Sequence, residues 1–206
     1  MRAPGTVRHD GPVDSAQVDA LRELLAPTGW LERTRVFGRA LRSSAVTPGG
    51  LLLVGTPGDE PWHLAAHLGD ESRLAGIPEL APTLIRWNVP EGAPPHLRVG
   101  LDRLEAARRG EALFVVTPDS APAPLLERVS DARKAGATVL ALDQGDPDLD
   151  GLAHEALSVL AGTAPVSFGV TQHLVSAAAG ERDVRPRRGV RERLARLLDA
   201  VSGPSA

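Results

Sequence analysis

Short, continuously apolar segments recur along the chain, and a loop and a segment of helical periodicity separate each from the next. These segments predict strands at residues 51–56, 83–87, 112–117, 138–143 and 156–160. Runs such as LLLVG and ALFVV are apolar at consecutive positions, as in strands that are buried on both faces. The pattern therefore predicts a doubly wound α/β fold, in which helices cover both faces of a five-stranded parallel sheet.

Segments of helical periodicity lie between and around these strands. They predict helices at residues 30–41, 62–74, 97–108, 125–135, 149–154 and 166–179. A further helix is predicted to begin at Asp14 or Ser15, either of which can cap it, and to end at the Pro-Thr-Gly sequence at 27–29. An N-terminal helical pair is therefore expected before the sheet.

The two ends of the chain differ from its middle. Residues 1–13 have no apolar periodicity and predict a disordered arm, followed by the α/β domain at 14–180. Residues 181–206 predict a basic amphipathic C-terminal helix and tail, with seven arginines from Arg182 to Arg196. We interpret this segment as a terminal helix that docks on the sheet or on a partner subunit, with its basic face in solvent. Contact with an anion or a nucleic acid is the alternative.

Composition and charge narrow the class of protein. The 206 residues contain 23 basic and 26 acidic side chains, and a net charge of -3 argues against binding a polyanion over the whole domain. The absence of cysteine excludes disulfides and thiolate zinc sites. No apolar run approaches 18 residues, and the N-terminus lacks the layout of a signal peptide. We therefore expect a cytoplasmic protein without a membrane span.

Candidate binding residues follow two of the predicted strands. In an open parallel sheet, ligands bind beyond the carboxyl ends of the strands, where the strand order reverses. Glycines there allow close approach to the backbone, and helix N-termini offer N–H groups to an anion. N-capping is the alternative role for the acidic residues. The predicted binding residues lie in the loops after the first and third strands: Gly55, Thr56, Gly58, Asp59, Thr117, Asp119 and Ser120.

The order of elements resembles that of the sugar isomerase (SIS) domain family. Residues 111–162, EALFVVTPDSAPAPLLERVSDARKAGATVLALDQGDPDLDGLAHEALSVLAG, are similar to the family's third strand through its fifth. This segment includes a Lys-Ala-Gly-Ala turn before strand four and a Leu-Ala pair before strand five. The resemblance covers roughly residues 14–179. It implies a phosphosugar ligand, a Ser-rich phosphate loop after strand three, and a homodimer or larger homo-oligomer.

Both loops depart from the family's pattern. The first loop, usually Gly-any-Gly-any-Ser, is GTPGD here, which places Asp59 near the Ser position. The third loop, usually Ser-any-Ser-Gly-any-Thr, is TPDSAP, with Asp119 in place of the second Ser. We expect a carbohydrate-derivative (phosphosugar) binding protein whose partner is a small anionic sugar. Because these carboxylates stand where the family has hydroxyls and repel a phosphate, we expect a binding or regulatory role rather than a catalytic one. The alternatives are an aldose–ketose phosphosugar isomerase and a scaffold without a ligand.

Isomerisation would require a base that moves a proton between adjacent carbons. Glu60 and His173 are the candidate catalytic residues. His63, His67 and Glu71 lie four residues apart in sequence and share one side of a helix, so that a zinc site there is an alternative to a polar surface. We expect neither a metal nor a cofactor.

Overall fold

The computed structural model describes residues 23, 25–89, 91–94 and 97–181. Within them, all the strands pair in parallel in one five-stranded sheet of order β2-β1-β3-β4-β5. The strands are β1 (Leu51–Val54), β2 (Pro82–Ile85), β3 (Ala112–Val116), β4 (Thr138–Asp143) and β5 (Glu155–Ser158). Each overlaps a predicted strand and its bounds differ by at most two residues. The predicted fold class is confirmed.

Helices connect the strands of this described region. They are α1 (Trp30–Ser44), α2 (Trp62–Ala75), α3 (Asp102–Glu105), α4 (Ala123–Lys134), α5 (Pro147–Leu152) and α6 (Phe168–Gly180). Short 3-10 turns lie at Ala26–Thr28 and Pro78–Leu80. Gly29 ends the first turn with a left-handed φ of 67°, a conformation that glycine adopts without strain.

The sheet separates two apolar cores because successive strand residues point to opposite faces. Leu53 and Phe114 pack with α1, α2 and α6 in the first core, whereas Val54 and Leu113 pack with α3, α4 and α5 in the second. This two-sided burial explains the continuous apolarity of β1 and β3, in which every residue is buried. In the first core, a Cβ on Gly38 of α1 would lie 2.7 Å from the Cβ of Ala178, so glycine permits α1 to approach α6 closely.

The helix predicted at residues 97–108 is wrong in extent, since α3 covers Asp102–Glu105 alone. The preceding residues are instead held against the end of β2. The N–H of Arg86 donates to the carbonyl of Val99 at 2.8 Å, and Arg86 forms a parallel bridge with Gly100. Pairing with a distant strand residue competes with helix formation there, and helical periodicity carries no information about such a partner.

Three predicted regions lie outside the described residues. They are the N-terminal arm, most of the first helix of the expected pair, and the Arg-rich C-terminal segment from Arg182 onward. The domain boundaries therefore remain predictions. Among the described helices, none combines the length and the apolarity needed to cross a membrane.

Candidate functional site

The loops that follow β1 and β3 lie side by side at one edge of the sheet. β1 pairs with β3 in parallel, with Val54 opposite Val115, so Thr56 and Thr117 leave the sheet next to each other. β1 connects through α2 to β2 on one side, whereas β3 connects through α4 to β4 on the other. The strand order therefore reverses here, and ligands of doubly wound sheets bind at such a point. The fold brings the predicted binding residues to this edge.

The loop after β1 folds back on itself. The N–H of Thr56 donates to the carbonyl of Asp59 at 3.0 Å, and the N–H of Asp59 lies 3.2 Å from the hydroxyl oxygen of Thr56. A Cβ on Gly55 would lie 2.1 Å from the Asp59 carbonyl oxygen and 2.7 Å from Cδ of Pro61, so this turn requires glycine at position 55. A Cβ on Gly58 would meet no atom within 4 Å. The two predicted glycines therefore differ in their steric role.

Glu60 is held at the end of this loop by residues that follow β2. Its Oε2 accepts a hydrogen bond from Nε of Arg86 at 2.6 Å, and its Oε1 accepts one from the N–H of Trp87 at 2.9 Å. Nε1 of Trp87 donates to the carbonyl of Gly55 at 2.8 Å. The Arg86 guanidinium also lies over the Trp62 ring, 4.2 Å from its centroid. These contacts connect the ends of β1 and β2.

Arg86, Trp87 and Asn88 are not among the residues predicted from the sequence, although a signal for them is present. They follow β2 directly, and β2 lies beside β1, so its carboxyl end reaches the same edge of the sheet. The rule that ligands bind beyond the carboxyl ends of parallel strands applies to β2 as it does to β1 and β3, and it therefore points to these residues.

An open pocket of about 430 Å³ lies between the ends of β1 and β2. It contains an aromatic ring, three charged side chains and an amide. The lining residues are Pro57, Gly58, Asp59, Glu60, Trp62, Arg86 and Asn88. Trp62 is 39% exposed, and Asp59 and Asn88 are exposed as well. Such a combination of apolar surface and convergent polar groups is typical of small-molecule sites.

The loop after β3 offers few donors to an anion. Thr117 is fully buried, and its hydroxyl donates to the carbonyl of Asp119 within the same loop. The N–H of Ala121 donates to Oδ2 of Asp146 at 2.7 Å. Residues 118, 122 and 124 are prolines, which have no N–H. Thr117, Asp119 and Ser120 are not among the residues that line the pocket.

The capping role considered for the acidic residues is not found. The N-cap of α2 is Pro61 and that of α4 is Pro122, and neither helix receives a side-chain capping hydrogen bond. Within the described residues, no group donates a hydrogen bond to the exposed Asp59 carboxylate. Asp146 does cap a helix, since it accepts from the N–H groups of Asp148 and Leu149 at the start of α5.

A histidine cluster lies between α2 and α6. The rings of His67 and His173 meet edge to face with their centroids 4.4 Å apart. Burial lowers the pKa of His173 to about 4, helped by the nearby His67 and His63. Burial also lowers the pKa of His67, against the opposing effect of Asp70. His173 is therefore neutral at pH 7. Its ring contacts His67 of α2.

The fold does not bring the two candidate catalytic residues together. Glu60 lines the pocket, whereas His173 does not. Nor do His63, His67 and Glu71 form a metal centre. In the part of the chain that the structure describes, no group of three or more His, Asp or Glu side chains is arranged to hold a metal ion.

Comparisons with solved structures identify the class of fold. A protein of Silicibacter pomeroyi assigned as a phosphosugar isomerase is 15% identical, with a TM-score of 0.50 over 82% of this chain and 50% of that one. A Salmonella typhimurium protein assigned as sugar-binding is 16% identical, with a TM-score of 0.52 over 87% of this chain and 53% of the other.

The sugar isomerase domain of an RpiR transcription factor of Sphaerobacter thermophilus is 18% identical over 92% of this chain and 96% of that domain, with a TM-score of 0.49. No protein-family model matches the sequence, and no curated protein is similar to it in sequence.

The predicted SIS-like fold is confirmed by the likeness to the Silicibacter and Salmonella structures and by the all-parallel sheet with helices on both faces. The chain spans about half the length of the first two of these structures.

Proposed function

We propose that this protein binds a carbohydrate derivative in the pocket between β1 and β2 and holds it without chemical turnover. The observation that carries this proposal is the open pocket itself, which places an exposed Trp62 ring beside Asp59, Arg86 and Asn88. An aromatic ring contacts the apolar face of a sugar, while carboxylate, guanidinium and amide groups bind hydroxyls. The assignments of the two structurally similar proteins, as a phosphosugar isomerase and as sugar-binding, support the same ligand class.

A catalytic role is disfavoured by the states of Glu60 and His173. A general base must come within about 3 Å of the proton that it removes, with an accepting lone pair directed at it. Both Glu60 oxygens already accept hydrogen bonds, and its side chain is 13% exposed. His173 has a pKa lowered to about 4 and contacts His67 instead of lining the pocket. Neither residue is therefore poised to abstract a proton from a ligand in this pocket.

The loop after β1 also disfavours the alternative of a scaffold without a ligand. A carboxylate used as a cap, together with a filled cleft, would be expected of a purely structural role. Asp59 does not cap α2, and the cleft beside it is open. A carboxylate to which no described group donates a hydrogen bond and an exposed tryptophan, both at the rim of a pocket, favour ligand binding.

Titration calorimetry and thermal unfolding against free and phosphorylated hexoses, heptoses and amino sugars test this proposal. A sugar at a hundred times its Kd should stabilise the protein by about 2.7 kcal/mol and raise Tm by a few degrees. Asn88→Ala should weaken binding about tenfold, through the loss of hydrogen bonds to sugar hydroxyls. Ser43→Ala, a polar change at another exposed position, on α1, should not alter it.

Proton exchange at C2 of the bound sugar, followed by NMR in D₂O, separates binding from isomerisation. We expect saturable binding and no exchange. Enzyme-dependent exchange would establish the isomerase alternative. The absence of binding across the sugar panel would favour the scaffold. The cytoplasmic location remains a prediction. So does the homo-oligomer, which the family resemblance implies.

A further inference from the structure

We infer that the ligand of this pocket is an amino sugar without a phosphate, and that Asp59 binds its ammonium group. This inference rests on the proposed function and specifies its substrate class. It departs from the phosphosugar that the family resemblance implies, because the charges and donors at this edge of the sheet do not suit a phosphate.

The described residues that line the pocket have an excess of negative charge. Its charged lining residues are Asp59, Glu60 and Arg86. Arg86 and Glu60 neutralise each other in an ion pair of 2.6 Å, with each side chain 13% exposed. Asp59 is left exposed, and its backbone, not its carboxylate, closes the turn with Thr56. Among the described residues no opposite charge compensates the Asp59 carboxylate, and such a carboxylate attracts an ammonium group and repels a phosphate.

The neighbouring loop does not compensate for this charge. The Ala121 N–H, in the loop after β3, already donates to the Asp146 carboxylate. Asp143 is fully buried beside it and accepts a hydrogen bond from Gly145 at 2.6 Å. Burial raises the pKa of the nearby Asp150, and so do Asp143 and Asp146. The carboxyl ends of β3 and β4, which lie outside this pocket, therefore carry acidic side chains and supply no compensating positive charge among those named here.

The remaining lining groups suit an uncharged sugar ring. Trp62 keeps 39% of its surface exposed, although the Arg86 guanidinium covers part of the ring. Asn88 is exposed and carries both a donor and an acceptor for hydroxyl groups. An aromatic surface, an amide and one free carboxylate together match the apolar face, the hydroxyls and the ammonium group of an amino sugar.

Calorimetry of the full chain with matched ligands tests this charge preference. Glucosamine, galactosamine and mannosamine are each compared with the parent hexose and with the 6-phosphate of the amino sugar. We expect at least one amino sugar to bind about five- to tenfold more tightly than its parent hexose, with the difference shrinking as salt is added. Its 6-phosphate should bind more weakly than the amino sugar itself.

Asp59→Asn provides the decisive comparison, since it removes the charge and retains a similar shape. The preference for the amino sugar over its parent hexose should fall to less than twofold, while binding of the parent hexose remains. Asp131→Asn makes the same charge change at a 70% exposed carboxylate on α4 and should preserve the preference.

Tighter binding of a 6-phosphate than of its unphosphorylated sugar would overturn this inference and leave the proposed function standing. So would a preference for amino sugars that survives Asp59→Asn. If no free or phosphorylated sugar binds, the proposed function fails, and this inference fails with it.

Discussion

Two glycines three residues apart in the loop after β1 have different requirements. Gly55→Ala would place a Cβ against the Asp59 carbonyl and Pro61, so the loop would have to open. We expect this substitution to lower the free energy of unfolding by about 2–3 kcal/mol and to weaken sugar binding at least tenfold. Gly58→Ala meets no neighbour and should change stability by less than about 1 kcal/mol. Urea denaturation and calorimetry measure both effects, and similar losses in the two variants would contradict the prediction.

At the scale of single residues, the sequence predicts where a polar side chain lies in the fold better than it predicts the hydrogen-bond partners of that side chain. The residue type of Glu60 and its place after a strand predict a candidate base. Its role depends on Arg86 and Trp87, which lie 26 and 27 residues further along the chain. Asp146 likewise accepts from Ala121, 25 residues earlier. Such pairs form only when the strands align, so local spacing does not reveal them.

At the scale of elements, burial on both faces made the strands predictable. Every residue of β1 and β3 is buried, and continuous apolarity marks such strands directly. The helix predicted at 97–108 failed because Val99 and Gly100 pair with Arg86. The predicted binding loops lie at the expected edge of the sheet, but the pocket lies towards β2, after which no binding residue was predicted. Helical periodicity is local, whereas strand neighbours are not.

The contact between α2 and α6 should make stability depend on pH. The pKa of His173 is about 4 in the folded protein, against 6.5 for an ordinary histidine. Between these values the unfolded chain binds a proton that the folded protein does not, so stability falls as pH decreases from about 6.5 towards 4. We expect this histidine to contribute on the order of 2 kcal/mol to that loss, since partial exposure reduces the full effect.

His173→Gln removes this titration and tests its sign. Urea denaturation at pH 7 and at pH 5 should show a smaller loss of stability on acidification in His173→Gln than in the unsubstituted protein. His67 remains titratable in the variant, and burial lowers its pKa too, so part of the dependence should persist. An unchanged pH dependence would show that His173 is not the buried neutral group described here.

At the scale of the whole molecule, the sheet contributes residues to both cores and positions the pocket. β3 contributes Phe114 to the core with α1, α2 and α6, and its neighbour Leu113 to the core with α3, α4 and α5. The pocket lies at the edge of this shared sheet. The segments that line it follow β1 and β2, so the pairing of these two strands sets their positions. Loosening of either core should therefore be transmitted to the site through the strands.

The shared sheet predicts a single cooperative unfolding transition. Phe114→Leu and Leu113→Val each remove volume from one core and should lower stability by about 1–2 kcal/mol. Trp30 is buried in the first core and Trp87 packs against the second, so tryptophan fluorescence reports on both. We expect fluorescence and far-UV circular dichroism to give coincident urea transitions, shifted by either substitution at an unchanged m-value. Two separate transitions, each moved by only one of the substitutions, would mean that the cores unfold independently and that the sheet does not couple them to the pocket.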